Sequence, residues 1–266
     1  MSYQPKVYRE QGGAALIAKD DGQIKLTEAA RPRGFRRLSS RYELLWVAGQ
    51  RGKPSINADI NSATEATREI ADPDFEVLGS NATSDDVTFN VEGGIKIETD
   101  AGGTDSVIVL PHLDANQSAW AQVTWGTDQE VEWQAHIKTG SAITAQVIWA
   151  GLKLTNTDVT ATDDNQVFFR FAPSVNSGKW QAIYSIGGTD TAVDSSVTVA
   201  LSTEYVFTIT IDSSRIARFY INGSLVATST ALTDAIDLIP YIGILESAAA
   251  AKHMLIFGQA ISRKYA

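Results

Sequence analysis

The chain has 266 residues, no cysteine, and 22 Lys and Arg against 31 Asp and Glu, a formal charge of −9. That composition excludes a disulfide framework, a thiolate zinc site and a thiol nucleophile, so stability has to come from burial, strand pairing or assembly. No stretch approaches the roughly 18 consecutive apolar residues of a membrane helix, and the first 20 residues lack the apolar core of a signal peptide, so the chain reads as soluble and without an export address.

The charge is unevenly divided. Through Lys53 there are 11 basic and 5 acidic residues; beyond it 11 basic face 26 acidic. A basic segment of this kind seeks a negatively charged partner, while an acidic body resists self-association. Within residues 1–27, Ala15 to Ala18 and Gln23 to Leu26 are β-prone and are separated by the turn residues Asp20, Asp21 and Gly22. Strands this short are not stable alone. Arg31, Arg33, Phe35, Arg36 and Arg37 follow in a segment broken by Pro32 and Gly34, and Arg41 to Val47 forms a compact apolar patch. Arginine offers carboxylates a planar fork of donors, and buried aromatic anchors dominate protein interfaces. Arg31, Arg33, Phe35, Arg36, Arg37, Arg41, Tyr42, Leu45 and Trp46 are therefore expected to contact a partner protein. Nucleic acid is disfavoured because only one strip is basic and phosphate would repel the acidic remainder.

Residues 1–53 thus read as an extended arm and residues 54–74 as a linker. Within the linker Ser62 and Glu65 suggest a capping box for a short helix over Ala63 to Ile70, ended by Asp72-Pro73. From Phe75 onward period-two strands separated by Gly, Asn, Asp, Ser and Thr predict an all-β antiparallel sandwich over residues 75–266. Expected strands lie near Val87–Val91, Ile95–Glu98, Val107–Leu110, Trp120–Trp125, Val131–Lys138, Ala145–Leu154, Val167–Phe171, Lys179–Ile186, Val197–Ala200, Ile239–Ile244 and His253–Ser262. The plainest signal runs from Glu204 to Val226, where two alternating strands meet at Asp212-Ser213-Ser214 and a hairpin turns at Asn222-Gly223, a dipeptide suited to two consecutive positive φ angles. No repeat of fixed period argues for a solenoid or propeller.

The candidate chemistry is sparse. Glu130 and Glu132, beside Trp133, are the nearest approach to the paired carboxylates of a retaining glycosidase, but no third acidic residue follows. His112, His136 and His253 lack the close spacing of a metal pair, and no serine sits in a G-x-S-x-G elbow. Gly102-Gly103 and Gly187-Gly188 are turn glycines without a following helix. Asp158, Asp163, Asp164 and Asn165 offer hard oxygens of the kind calcium takes, yet lack alternating loop ligands and read as a polar turn. Trp120, Trp125, Trp133, Trp149 and Trp180 could stack on sugar rings, but tryptophan on a strand is more often half-buried packing. No catalytic residue, metal site or cofactor is predicted, and the chain is expected not to be an enzyme.

Two resemblances add to this reading. The run Ser214-Arg-Ile-Ala-Arg-Phe-Tyr-Ile-Asn-Gly-Ser-Leu-Val226 resembles the hairpin of concanavalin A-like lectin, laminin G-like and glucanase jelly rolls. Tyr3-Gln-Pro-Lys-Val-Tyr-Arg-Glu-Gln-Gly-Gly13 is similar to the starts of tailed-phage head decoration and head-fibre proteins, and Ala48-Gly-Gln-Arg-Gly-Lys-Pro54 and Leu110-Pro-His-Leu-Asp-Ala-Asn-Gln-Ser-Ala-Trp120 look like structural proteins of marine phages. The second resemblance implies a virion component made in the host cytoplasm. Its arm would grip the major capsid protein on the outer capsid surface while a jelly roll projects outward as a homotrimer, with neither nucleic acid nor membrane as partner. The alternative is a glycan-binding adhesin or receptor-binding fibre head that uses a concave sheet face on surface glycans.

Overall fold

The computed structural model describes residues 7–9, 16–18, 41–47, 53–55, 71–111, 124–155 and 163–264. The chain divides into two compact units, Met1–Leu38 and Ser39–Ala266. In the first unit β1 (Val7–Arg9) pairs antiparallel with β2 (Leu16–Ala18), Val7 lying opposite Ala18. The second β-prone stretch expected there, Gln23 to Leu26, lies outside the described residues, as do Arg31, Arg33, Phe35, Arg36 and Arg37.

The second unit is built from strands. Its early strands are β3 (Arg41–Val47), β4 (Lys53–Ser55), β5 (Ala71–Leu78), β6 (Val87–Phe89), β7 (Ile95–Glu98) and β8 (Ser106–Pro111). Then come β9 (Glu132–Thr139), β10 (Gln146–Lys153), β11 (Asn165–Phe171), β12 (Lys179–Ile186) and β13 (Thr189–Thr198). The last are β14 (Glu204–Ile211), β15 (Ile216–Ile221), β16 (Ser224–Ala231), β17 (Ile239–Glu246) and β18 (His253–Lys264). One sheet runs β13-β12-β11-β10-β17-β8-β5-β4 and the other β16-β15-β14-β9-β18-β7-β6, with β3 also on β18. Among the described strands all pairings are antiparallel except β4 with β5.

The two sheets pack face to face as a sandwich. Phe75, Val109, Ile148, Phe169, Trp180 and Ile244 from the first sheet and Ile97, Trp133, Phe207, Phe219 and Ile256 from the second belong to one buried cluster. Phe169 stacks on Phe207 at 4.5 Å between ring centroids, and Trp180 meets Phe207 edge-on at 4.8 Å. In the second sheet burial alternates cleanly, as in β14 and β15, so one face is core and the other is wet. The Asn222-Gly223 hairpin joins β15 to β16 with φ of 51° and 81° at its two central residues. Asn222 also accepts a bond from the Val206 amide through Oδ1.

The arm expected over residues 1–53 is shorter than the charge pattern suggests. The twelve-residue strand β18 is covered by β7 only from His253 to Ile256. Beyond a register shift near Phe257, β3 takes the same edge, with Val47 opposite Gly258 and Arg41 opposite Lys264. A strand-prone segment fills an edge that would otherwise leave a row of backbone donors and acceptors unpaired. Arg41, Tyr42, Leu45 and Trp46 therefore belong to the sandwich's sheet, and the unit boundary falls after Leu38. The expected linker over 54–74 likewise begins and ends in strand, at β4 and β5. The helix expected over Ala63 to Ile70 lies outside the described residues.

The strand expected at Val197–Ala200 overlaps only the last two residues of the edge strand β13, whose sheltered positions are Val193, Ser195 and Val197, with Val193 and Val197 packed on the core. Asp194 organises its bend: the carboxylate accepts from the Ser196 amide at 2.7 Å, Asn176 Nδ2 at 3.1 Å and Lys179 Nζ at 3.0 Å. These bonds, the Ser196 amide foremost, lower its pKa from 3.8 to about 2. A depressed carboxylate stabilises the fold above its unfolded value, and that contribution disappears as pH falls through the folded value. Thermal melts of the wild type should lose stability between pH 3.8 and about 2, and Asp194→Asn should lose less over the same interval. Equal losses would show that the shift is not coupled to folding.

Candidate functional site

The outer face of the first sheet is unlike that of the second. Its central strands β8, β10, β11 and β17 are buried on both faces. Ile108, Leu110, Trp149, Phe168, Ile183 and Tyr241 form a second apolar cluster, separate from the sandwich core. Strict alternation places Val147, Trp149 and Lys153 of β10, Gln166, Phe168 and Arg170 of β11, and Tyr241 and Leu245 of β17 on this face. Together with Ala172 and Val175 they enclose a groove of about 200 Å³.

The floor is aromatic and deep. Trp149 is 2% exposed, Tyr241 3% and Phe168 6%. The Phe168 and Tyr241 rings tilt at 50° with centroids 6.2 Å apart. Trp149 lies opposite Gly243 in the β10–β17 register. A Cβ at Gly243 would meet Trp149 Cε2 at 3.0 Å and Ile108 Cγ1 at 3.0 Å, so glycine is what leaves room for the indole. The Trp149 Nε1 donor is buried and has no acceptor among the described residues.

Polar groups cross this apolar surface at a few defined places. Lys153 Nζ sits 5.2 Å from the Tyr241 ring centroid and 4.0 Å from Asp163 Oδ2. Gln166 Nε2 donates to Asp190 Oδ1 at 3.4 Å. Arg170 donates to Gln181 Oε1 through Nε at 3.3 Å and Nη2 at 3.0 Å. Burial, reinforced by the Asp163 and Asp190 charges and opposed by Arg170, pushes the Tyr241 phenol well above its usual range. Tyr241 therefore holds its proton near neutrality.

The candidates read from sequence are scattered around this groove, and one of them lies in it. Trp149 is on the floor, whereas Trp125, Trp133 and Trp180 are core residues; Trp133 Nε1 donates to Gln259 Oε1 at 3.1 Å. Trp120, His112 and Asp158 lie outside the described residues. Glu130 and Glu132 do not share a strand face. Glu130 precedes β9 at φ 49° and pairs with Lys264 Nζ at 2.9 Å, while Glu132 opens the strand. His136 pairs with Glu204 at 3.0 Å, and His253 lies 4.0 Å from Glu98.

Asp163 is committed to its own turn, accepting from the Leu154 amide at 3.1 Å, the Thr155 amide at 3.0 Å and the Thr155 hydroxyl at 2.9 Å. No group of three or more His, Asp or Glu able to hold a metal ion occurs among the described residues. The Gly102 amide donates to Asp105 Oδ2 at 2.9 Å and the Gly103 amide to Glu246, so that turn is filled by the protein's own carboxylates. Sequence reasoning singled out neither Phe168, Arg170 and Tyr241 nor the amides Gln166 and Gln181. The usable signal is Gln166-Val-Phe-Phe-Arg170: two polar residues four apart on one face of a strand apolar on both sides.

No family model matches the sequence, and no curated protein matches it. Solved structures do match in shape. The potassium-bound carbohydrate recognition domain of Emp46p superposes with a TM-score of 0.51 at 8% identity, covering 78% of this chain and 95% of that one. The alginate lyase AlgAT5 of polysaccharide lyase family 7 gives 0.50 at 13% identity, covering 81% and 95%. The Bacillus licheniformis β-glucanase gives 0.50 at 9% identity, covering 81% and 99%. At such identities the likeness extends to the fold alone, and that fold is an all-β sandwich of the concanavalin A-like lectin and glucanase jelly-roll type.

Proposed function

We propose that this protein binds a saccharide in the groove on the β10, β11 and β17 face and does not cleave it. The observation that carries the reading is the floor of Trp149, Phe168 and Tyr241 crossed by Arg170 and Gln166. A sugar ring offers C–H faces to aromatic side chains and hydroxyls to planar amides and guanidinium groups. A mostly apolar groove with a few placed polar groups suits that mixture. Carbohydrate recognition by other jelly rolls of this shape supports the same class of ligand. One feature favours binding over turnover: the groove's described lining includes no carboxylate, whereas retaining hydrolysis needs two about 5 Å apart. Calorimetric titration of neutral and acidic oligosaccharides into the full chain tests it. Saturable binding without product is expected, while absence of binding across both classes, or release of shortened sugars, would overturn it.

A second reading, a virion structural protein docked on a capsid shell, draws on the first unit. Strands of three residues are too short to hold alone, which favours a partner surface. In that reading Arg31, Arg33, Phe35, Arg36 and Arg37 are the contacts, and deletion of residues 1–38 abolishes attachment to undecorated heads. Unimpaired attachment by the truncated protein would dispose of it.

A further inference from the structure

Resting on the saccharide reading of the groove, we infer that its ligand is an acidic sugar whose carboxylate is held by Arg170. Gln181, the residue opposite Arg170 on β12, takes the Nε–Nη2 side of the guanidinium through a single oxygen. This fixes the plane of the group and leaves the Nη1–Nη2 edge for another acceptor. That edge matches a carboxylate in bidentate geometry. Among the described residues Arg170 has no carboxylate within ion-pair distance. The two carboxylates that act on Tyr241 are turned to other work: Asp163 caps the Leu154–Thr155 turn, and Asp190 accepts from Gln166.

A half-buried arginine beside an aromatic floor, oriented by an amide and lacking a counter-ion among the described residues, is a poor design for stability alone. Desolvating a cation without a partner costs free energy that the fold recovers only if an anion arrives. The chain's charge of −9 does not oppose this. Distant charges are screened within about 10 Å at 0.1 M salt, whereas a contact pair in the groove is not. A neutral sugar would leave the free guanidinium edge without a charged partner, so discrimination against the neutral parent is built into the same geometry.

The test titrates galacturonate, glucuronate and mannuronate trisaccharides, each beside its neutral parent and a sulfated form of that parent, into the full chain. At least one uronate should bind more than about tenfold tighter than its parent, which corresponds to about 1.4 kcal/mol. In Arg170→Gln that ratio should fall to near one, and Arg170→Lys, which keeps the charge but not the fork, should give a ratio between the two. Melting curves of each variant report whether it is folded, and Gln181→Leu, which frees the guanidinium without removing it, should also lower the ratio. Uronate and parent binding alike would overturn the inference and leave the saccharide reading intact; no binding by any sugar would remove both. A preference that survives Arg170→Gln would show the charge to be read elsewhere, and preference for the sulfated sugar alone would rule out the carboxylate.

Discussion

Trp180→Ala is expected to cost about 3–5 kcal/mol of folding stability, the range for deleting a large buried aromatic. That is a large share of the roughly 5–15 kcal/mol a domain has in total. Trp180 is fully buried in the sandwich core, edge-on to Phe207 at 4.8 Å, to Tyr205 at 5.4 Å and to Phe171 at 5.8 Å. It thus ties β12 of one sheet to β14 of the other, and alanine would leave a void between layers that cannot collapse without moving a sheet. Trp180→Phe should be far milder. It loses less volume and also removes the indole donor, which has no acceptor among the described residues and whose burial unpaired costs about 1–3 kcal/mol. Urea denaturation reads both: the midpoint should move with the slope unchanged. Equal costs for the two variants would mean that the aromatic edge contacts contribute little.

The largest expected effect on binding is at Trp149. Trp149→Ala should weaken saccharide binding at least about 30-fold, the loss of about 2 kcal/mol that marks an interface hot spot. The indole is the largest ring on the groove floor, and at 2% exposure it is also packed, so some stability will be lost with it. Gly243→Val separates the two effects. It keeps the indole in the chain but forces it off its seat, because even a Cβ there approaches Trp149 Cε2 to 3.0 Å. Both variants should weaken binding, whereas loss in the first with full retention in the second would place the ligand away from the indole. Melts at the titration temperature exclude unfolding as the cause.

The core of this fold was legible because half-buried antiparallel strands carry a period-two pattern, and the Asn222-Gly223 turn announces itself chemically. Three features escaped for physical reasons. Arg41–Val47 looks like a docking patch because its partner edge on β18 is more than 200 residues away in sequence. Most of Thr189–Thr198 escaped because its inner face carries only Val193 and Val197 around the polar Ser195, a weak period-two signal on an edge strand. The groove residues Phe168 and Tyr241 read as core, since a strand apolar on both faces does not say which face binds. Trp149 was within reach of sequence reasoning as an aromatic candidate, but only the register that sets it over Gly243 and beside Phe168, Arg170 and Tyr241 distinguishes it from Trp133 and Trp180.

Backbone amide shifts of the isotope-labelled full chain, followed during titration with the tightest-binding trisaccharide, would locate the saccharide on the molecule. Shifts should concentrate on β10, β11 and β17 around Trp149, Arg170 and Tyr241, with the Gln134, His136 and Thr208 face of the opposite sheet unmoved. Shifts confined to that opposite face, or a saturable complex that leaves the groove strands unperturbed, would contradict the saccharide reading of the groove.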